Sequence, residues 1–248
     1  MLRASRISGK LAFVMGGGKF GTNALKYLKN NDAKVLVVDL DSNCKAISDI
    51  DIIGSDLNVL NTLQPGKSAF LKGNAEEILA LLLETTIPEI IVTAMPGNAI
   101  ANVIKFWLAK RRIKLTPYSN CVQKVLKNIP QSLVLFFDEP SGIIVTSYMS
   151  PNMRCKENCM PPRNVCALTG RPKFASMNEI LEFSIFENTN MSGILNSQQL
   201  VGGLGGINGN DLFNLLKELN DIHNNATLAI GVACTCHGIL NFYKTQTT

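Results

Sequence analysis

Histidine is nearly missing from this 248-residue sequence: it has two, His223 and His237. That leaves little material for a Ser-His-Asp constellation, and none is compelling. Charge is sparse as well. Charged residues make up 17% against 46% hydrophobic ones, where a quarter is usual, and this argues against disorder. No basic run exists; the densest spot, Lys110-Arg111-Arg112, is read as the cationic last turn of a helix. Without aromatics interleaved among the basic residues, and with a net charge of +5, a nucleic-acid partner is not expected. Long apolar runs are lacking too. The longest apolar region, 89–109, is interrupted by Pro96, Gly97, two asparagines and Lys105, so no membrane span is expected. Near the start, Leu11–Met15 is too short for a signal-peptide core and runs into glycines. The expected location is therefore the cytoplasm, where thiols stay reduced. An odd count of seven cysteines also argues against a full disulfide framework.

What is present is an alternation. Leu11–Met15 and Lys34–Asp39 ("KVLVVD") read as strands around a helix at 20–30. A weaker strand at 68–73, a helix at 76–83, a strong strand at 89–95 and a helix at 99–110 follow. The runs "SLVLFF" (132–137) and "GIIVTSYM" (142–149) close the series, joined by a "DEPS" turn. Strands alternating with helices imply βαβ units and a mostly parallel, Rossmann-type α/β sheet. From 151 the composition changes to a proline-punctuated, cysteine-bearing loop, then a helix near 177–181, a glycine-rich stretch at 202–210, a helix at 211–219 and a strand-like end at 227–243. The expected division is a dinucleotide-binding domain over 1–150 and a smaller α+β domain carrying a cysteine cluster over 151–248.

The stretch "MGGGKFG" gives G-x-G-x-x-G as Gly16, Gly18 and Gly21, with Lys19 and Phe20 between them. A strand precedes it, a helix follows, and Asp39 ends the next strand, so the pattern has its required context. Gly16 suits the tight turn, Gly18 a backbone approached by a pyrophosphate, and Gly21 close packing of helix on strand. A helix N-terminus offers its free N–H groups to phosphates. The Asp39 carboxylate can accept from an adenosine ribose and repel a 2′-phosphate, so NAD is favoured over NADP.

These residues resemble the nucleotide-binding domains of the TrkA/RCK potassium-uptake type, with saccharopine dehydrogenase-like domains as close relatives. The resemblance rests on "FVMGGGKFGTNALKYLKNNDAKVLVVDLDSN", "KGNA" at 72–75 and "TAMPGNAIANVIKFWLA". It implies that Asn74, standing where that family carries an adenine-contacting Asp, and the loop with Ala94 and Met95 border the cofactor. It covers about half the chain and departs at 43–67, which is irregular. It implies nucleotide binding and no particular reaction.

In the second half, "RCKENCMPPRNVCALTG" holds Cys155, Cys159 and Cys166, and "CTCH" adds Cys234 and Cys236 before His237. Three loop sulfurs can wrap an ion, and either Cys234 or Cys236 can supply a fourth. Read as a strand, these last two side chains face the same way and His237 the other. Four tetrahedral thiolates suit zinc, which is preferred because closed structural sites tolerate irregular spacing, and also a [4Fe–4S] cluster; unligated, redox-sensing thiols are the remaining reading. Cys44 and Cys121 read as ordinary buried thiols, His223 as a helix-end residue, and Asp138-Glu139 as a solvated turn. The "GGLGGINGN" stretch reads as a close backbone passage in preference to an anion site.

Two functions follow as expectations. One is an NAD(H)-binding, oxidoreductase-like enzyme with a cysteine-ligated metal site. The other is a non-catalytic, nucleotide-sensing regulator of the TrkA/RCK kind. The expected partners are a dinucleotide, an unnamed small-molecule substrate or protein, and a second copy of the chain.

Overall fold

The computed structural model describes residues 7–150, 152, 153, 155, 159, 160 and 162–247. Among the described residues the chain is mixed α/β, with twelve strands and six α-helices. It divides into two units of nearly equal length. One takes the described residues of Met1–Phe106, Gln198–Leu200 and Leu204–Asn214; the other takes those of Trp107–Ser197, Val201–Gly203 and Leu215–Thr248.

The first unit starts with strand β1 (Leu11–Met15), helix α1 (Lys19–Lys29) and strand β2 (Lys34–Asp39). Strand β2 is buried from Val35 to Val38, the unbroken apolar run of a parallel strand covered on both faces. Helix α1 buries Gly21, Ala24, Leu25 and Leu28, at helical spacing, and carries Lys26 and Lys29 in its last turn, where the dipole favours cations. The irregular 43–67 stretch becomes two short 3₁₀ turns around strand β3 (Ile52–Gly54). Strand β4 (Ser68–Lys72), helix α2 (Ala75–Leu82) and strand β5 (Ile90–Thr93) follow. The neighbour order is β3-β4-β2-β1-β5, all parallel. The core beneath them includes Val14, Leu25, Leu28, Val35, Val37 and Phe70.

Helix α3 (Ala99–Ala109) comes next. The basic triplet lies just past it, not in its last turn: Arg112 has φ +59°, and Arg111 stacks 3.8 Å over the Trp107 ring while donating to the Trp107 carbonyl at 2.9 Å.

The second unit uses strand β6 (Ile113–Pro117), helix α4 (Val122–Leu126), and strands β7 (Val134–Asp138) and β8 (Ile143–Ser147). Helix α5 (Met177–Ile185) is opened by a capping box, Ser176 and Glu179 each bonding the other's backbone. Strand β9 (Met191–Val201) is followed by β10 (Leu204–Asn208), helix α6 (Gly209–Leu219), β11 (Thr227–Ala233) and β12 (His237–Thr247). Within this unit β9 runs parallel to β11. Strand β12 is antiparallel to β11, β8 and β6, and β8 to β7. The run 227–243, expected as one strand, is thus a hairpin, with Cys234, Thr235 and Cys236 at its turn. The core gathers Val122, Ile144, Tyr148, Leu181, Leu240 and Phe242.

Strand β10 belongs to the first unit and pairs antiparallel with β5. The glycines there are the expected close passage: a Cβ on Gly206 would stand 2.7 Å from Ile90, and one on Gly209 would meet the Pro88 carbonyl.

Candidate functional site

The loop after β1 is shaped by its glycines. Gly16 sits at φ +95°, and a Cβ there would lie 3.0 Å from the Ala94 carbonyl oxygen. Gly21 packs so closely that a Cβ would strike the Gly16 carbonyl. Gly18 differs: at φ −70°, a Cβ on it would meet nothing within 4 Å. Among the described residues its smallness serves no packing need. Asp39, ending β2, closes on this loop. Its Oδ2 accepts the Gly17 N–H at 2.6 Å and its Oδ1 the Asp41 N–H at 2.9 Å. The buried thiol of Cys44 lies against Gly17; burial first, then the Asp39 carboxylate, pushes that thiol's pKa up.

The first turn of α1 has no capping side chain and no acidic residue. Lys19 and the 52%-exposed Phe20 stand there instead. A cation at a helix N-terminus opposes the dipole, so this choice works against helix stability and favours an arriving anion. Asn74 caps α2, its Oδ1 accepting the Glu77 N–H at 2.9 Å. The neighbouring Gly73 N–H donates to the Asp39 carbonyl at 2.9 Å. Ala94 and Met95 are half-buried in the loop after β5, with the Ala94 N–H on the Met15 carbonyl at 2.9 Å. The loops that follow β1, β2, β4 and β5 therefore adjoin one another; Gly16, Gly18, Asn74, Ala94 and Met95 lie on them, Lys19, Phe20 and Gly21 in the first turn of α1, and Asp39 at the end of β2.

The cysteines of the second unit form another neighbourhood. Residues 164–173 make a small hairpin with a bridge between Val165 and Pro172. The Cys166 N–H bonds the Arg171 carbonyl and the Gly170 N–H the Cys166 carbonyl, both at 2.9 Å. The Cys166 sulfur accepts from the Thr169 hydroxyl and from the N–H groups of Thr169 and Leu168. Burial opposes them, but with Lys173 nearby they bring the thiol below its ordinary pKa. Cys155 is exposed. Desolvation first, then its hydrogen bond to Cys159 and the proximity of Cys236 and Cys166, pushes its thiol up to about 11. Cys236 is buried and raised by that burial, while a hydrogen bond from Lys173 works the other way. Lys173, which the sequence reading passed over, is 7% exposed and also donates to the Pro162 carbonyl at 2.7 Å. A lone lysine in a proline-rich loop gives no signal of this in sequence.

Cys234 takes a different partner. Its sulfur lies 3.8 Å from His237 Nδ1 and accepts the Cys236 N–H at 3.4 Å. Although burial opposes it, these contacts lower the Cys234 pKa. His237, expected on the opposite face, thus shares the turn with Cys234. Among the described residues, no three His, Cys, Asp or Glu side chains close around a single ion position. Cys44 and Cys121 are buried. His223 is exposed. Glu139 accepts from Gln123 at 2.9 Å. A surface groove of about 970 Å³ beside α4 and β7 is lined by none of the expected site residues.

Residues 100–246 match the model of AF_1314_C, described as the C-terminal domain of an uncharacterized protein. The chain belongs to this family. Residues 11–96 match its companion, AF_1314_N, the corresponding N-terminal domain. An uncharacterized protein of Archaeoglobus fulgidus is 27% identical over 231 residues, spanning 93% of this chain and 98% of its own length. The expected kinship with TrkA/RCK-type domains is thereby overturned, since the stretch that suggested it matches AF_1314_N instead. The physical reason is plain. A tight glycine turn and a closely packed helix are packing demands of βαβ geometry, and an acid ending the second strand is shared by many such units, so together they do not identify a family. No helix among the described residues is long and apolar enough to cross a membrane.

Proposed function

We propose that the first unit is a Rossmann-type dinucleotide-binding module that takes NAD(H) on the loops after β1, β2 and β5, and that the chain is an NAD(H)-dependent oxidoreductase. The observation that carries this is the glycine loop: Gly16 and Gly21 are each required by the chain's own packing, whereas Gly18 is not. Two further features support it. The strands run outward from β1 through β2 to β4, and the chain then returns to place β5 on the other side of β1. That reversal leaves a crevice at the carboxyl ends of β1 and β5, where ligands bind in open α/β sheets. Asp39 is held by two backbone N–H groups, and each carboxylate oxygen keeps a second acceptor site.

In this reading the N–H groups opening α1, together with Lys19, bind the pyrophosphate. Gly18 lets it approach, and Asp39 accepts from the adenosine ribose and repels a 2′-phosphate. The nicotinamide supplies or accepts a hydride when bound.

The test uses Gly18→Val. The side chain has open space, and the change should cost the fold about 1 kcal/mol or less at this N-cap position. Titration calorimetry should show wild type binding NADH more tightly than NADPH, and the variant binding neither while keeping its melting temperature to within a few degrees. Wild type indifferent to both nucleotides, or a variant that binds as well as wild type, would overturn the reading. Steady NADH turnover with a panel of oxidants separates an enzyme from a nucleotide sensor.

A further inference from the structure

We propose that Cys155, Cys159, Cys166 and Cys236 are the thiolate ligands of one metal centre, zinc or a [4Fe–4S] cluster, with Lys173 as its buried charge partner and Cys234 outside it. This goes beyond the dinucleotide reading and does not rest on it, since all six residues lie in the second unit.

The argument begins with Lys173. Lys173 is 7% exposed as a residue, and a cation held in so buried a place is best matched by a counter-charge, because burying an isolated cation is costly. Its contacts are the neutral Pro162 carbonyl and the Cys236 sulfur, and among the described residues no carboxylate pairs with it. Among the described residues, the opposite charge within its reach is thiolate. A tetrathiolate site around a divalent centre keeps net negative charge, so a lysine beside one sulfur is the second sphere such a site requires.

The sulfurs share one neighbourhood, while among the described residues no three of them close around a single ion position, so binding requires the loop to draw in. Cys155 hydrogen-bonds Cys159 and neighbours both Cys236 and Cys166, and Cys236 in turn neighbours Cys166. A sulfur-to-sulfur hydrogen bond is the protonated form of a ligand pair; a soft cation forms metal–sulfur bonds in its place and releases the thiol protons to solvent. Cys166 sits on a hairpin turn that directs the N–H groups of Leu168 and Thr169 at its sulfur, the kind of hydrogen bonding that stabilises and tunes thiolate ligands.

Among the described residues of the surrounding segment, Met153, Met160 and Phe174 are all exposed. Among its described residues, the Gly203 N–H bonds the Cys159 carbonyl at 3.2 Å and the Lys173 N–H the Asn164 carbonyl at 2.9 Å. Ligation is then a major source of its order. Cys234 differs from the four because its sulfur faces His237 and a backbone N–H.

The experiment measures zinc, iron and acid-labile sulfide in protein purified without oxygen. Wild type should carry stoichiometric zinc, colourless, or iron matched by sulfide, brown; the two arms identify the centre. Cys159→Ser, Cys166→Ser and Cys236→Ser should each lose it, and Cys234→Ser should keep it. Lys173→Gln should keep the ligands but bind the metal about tenfold more weakly. Because ligand variants can misfold, wild type is also stripped by chelator and titrated with cobalt(II), which should develop sulfur-to-cobalt charge-transfer bands. Wild type that takes up no metal by any of these routes overturns the proposal. So does a Cys234→Ser protein that loses the centre while Cys236→Ser retains it.

Discussion

The two units solve the same problem with opposite materials. The first builds its sheet from parallel strands joined by short helices, so most partners lie close in sequence, and β1 and β2 pair Leu11 with Lys34 through Met15 with Val38. The second is assembled across long separations: β12 pairs with β6, bringing Thr116 opposite Lys244, and with β8, bringing Ser147 opposite His237. The first unit concentrates its special residues in one glycine loop. The second concentrates them in cysteines brought together from a loop and a distant hairpin turn. Local construction makes a site readable from one stretch of sequence. Non-local construction hides it until the strands are in place.

The largest expected effect strikes the local unit at its tightest point. Gly21→Val drives a side chain into the Gly16 carbonyl. Backbone does not yield as a flexible side chain does, so a loss above about 4 kcal/mol is expected. Chemical denaturation should show the first unit unfolded or far less stable, with nucleotide binding gone. Its counterpart in the second unit is Phe242→Ala. Phe242 is fully buried in a core that also takes residues from β8, α5 and β11, and a cavity there should cost about 3–5 kcal/mol. If the proposed thiolate centre is present, the variant should also weaken its metal retention, because β12 begins beside the hairpin turn that carries Cys236.

A smaller effect is expected at Asp51, which gathers the first unit's surface. Its carboxylate accepts from Lys29 at 2.6 Å, Lys67 at 3.2 Å, and the Ser68 N–H and hydroxyl at 2.8 Å each. Desolvation opposes ionisation, but these bonds outweigh it and hold the carboxyl well below the usual range. A folded-state pKa below the unfolded one contributes stability that is fully present above about pH 4 and is lost as pH falls toward the folded value. Asp51→Asn should therefore cost roughly 2 kcal/mol at neutral pH, and the gap to wild type should narrow as pH drops below 4. Equal stability of the two proteins at pH 7 would remove this network from the account.

The smallest is Tyr27→Phe. The Tyr27 hydroxyl bonds the Leu200 carbonyl at 3.2 Å, tying α1 to a residue far along the chain. Its loss should cost about 1 kcal/mol, measurable by urea titration.

Residues 11–39 and 68–93 were legible because their elements announced themselves, whereas β3 (Ile52–Gly54) and the 3₁₀ turns beside it were not, since 43–67 carries no periodic pattern. The buried run Val35–Val38 reads as a two-faced strand, the Leu25/Leu28 spacing as a helix, and Gly16 and Gly21 as a turn and a contact. The kinship drawn from the same residues was not legible, since geometry common to many βαβ units carries no family label. In the second half the cysteines were visible but their grouping was not. Cys234 and Cys236 look equivalent on a strand, and only the hairpin turn gives them different neighbours. Lys173 could not be found, because nothing in a sequence says which surface lysine will be buried against sulfur. The pairing of β6 with β12 was invisible for the same reason: alternation gives a strand's faces and not its partner.

The placement of β10 bears on how the protein is made. Strand β5 is complete at Thr93, but its antiparallel neighbour ends at Asn208, about 115 residues later. At a synthesis rate of about 5–20 residues per second, the first unit's sheet waits roughly 6–23 s on the ribosome with the Ile90–Ile91 edge uncovered. An exposed apolar strand edge invites foreign strands. A messenger truncated near residue 106 would leave that wait permanent, so early termination should send the product to chaperones or aggregates in place of a folded nucleotide-binding half.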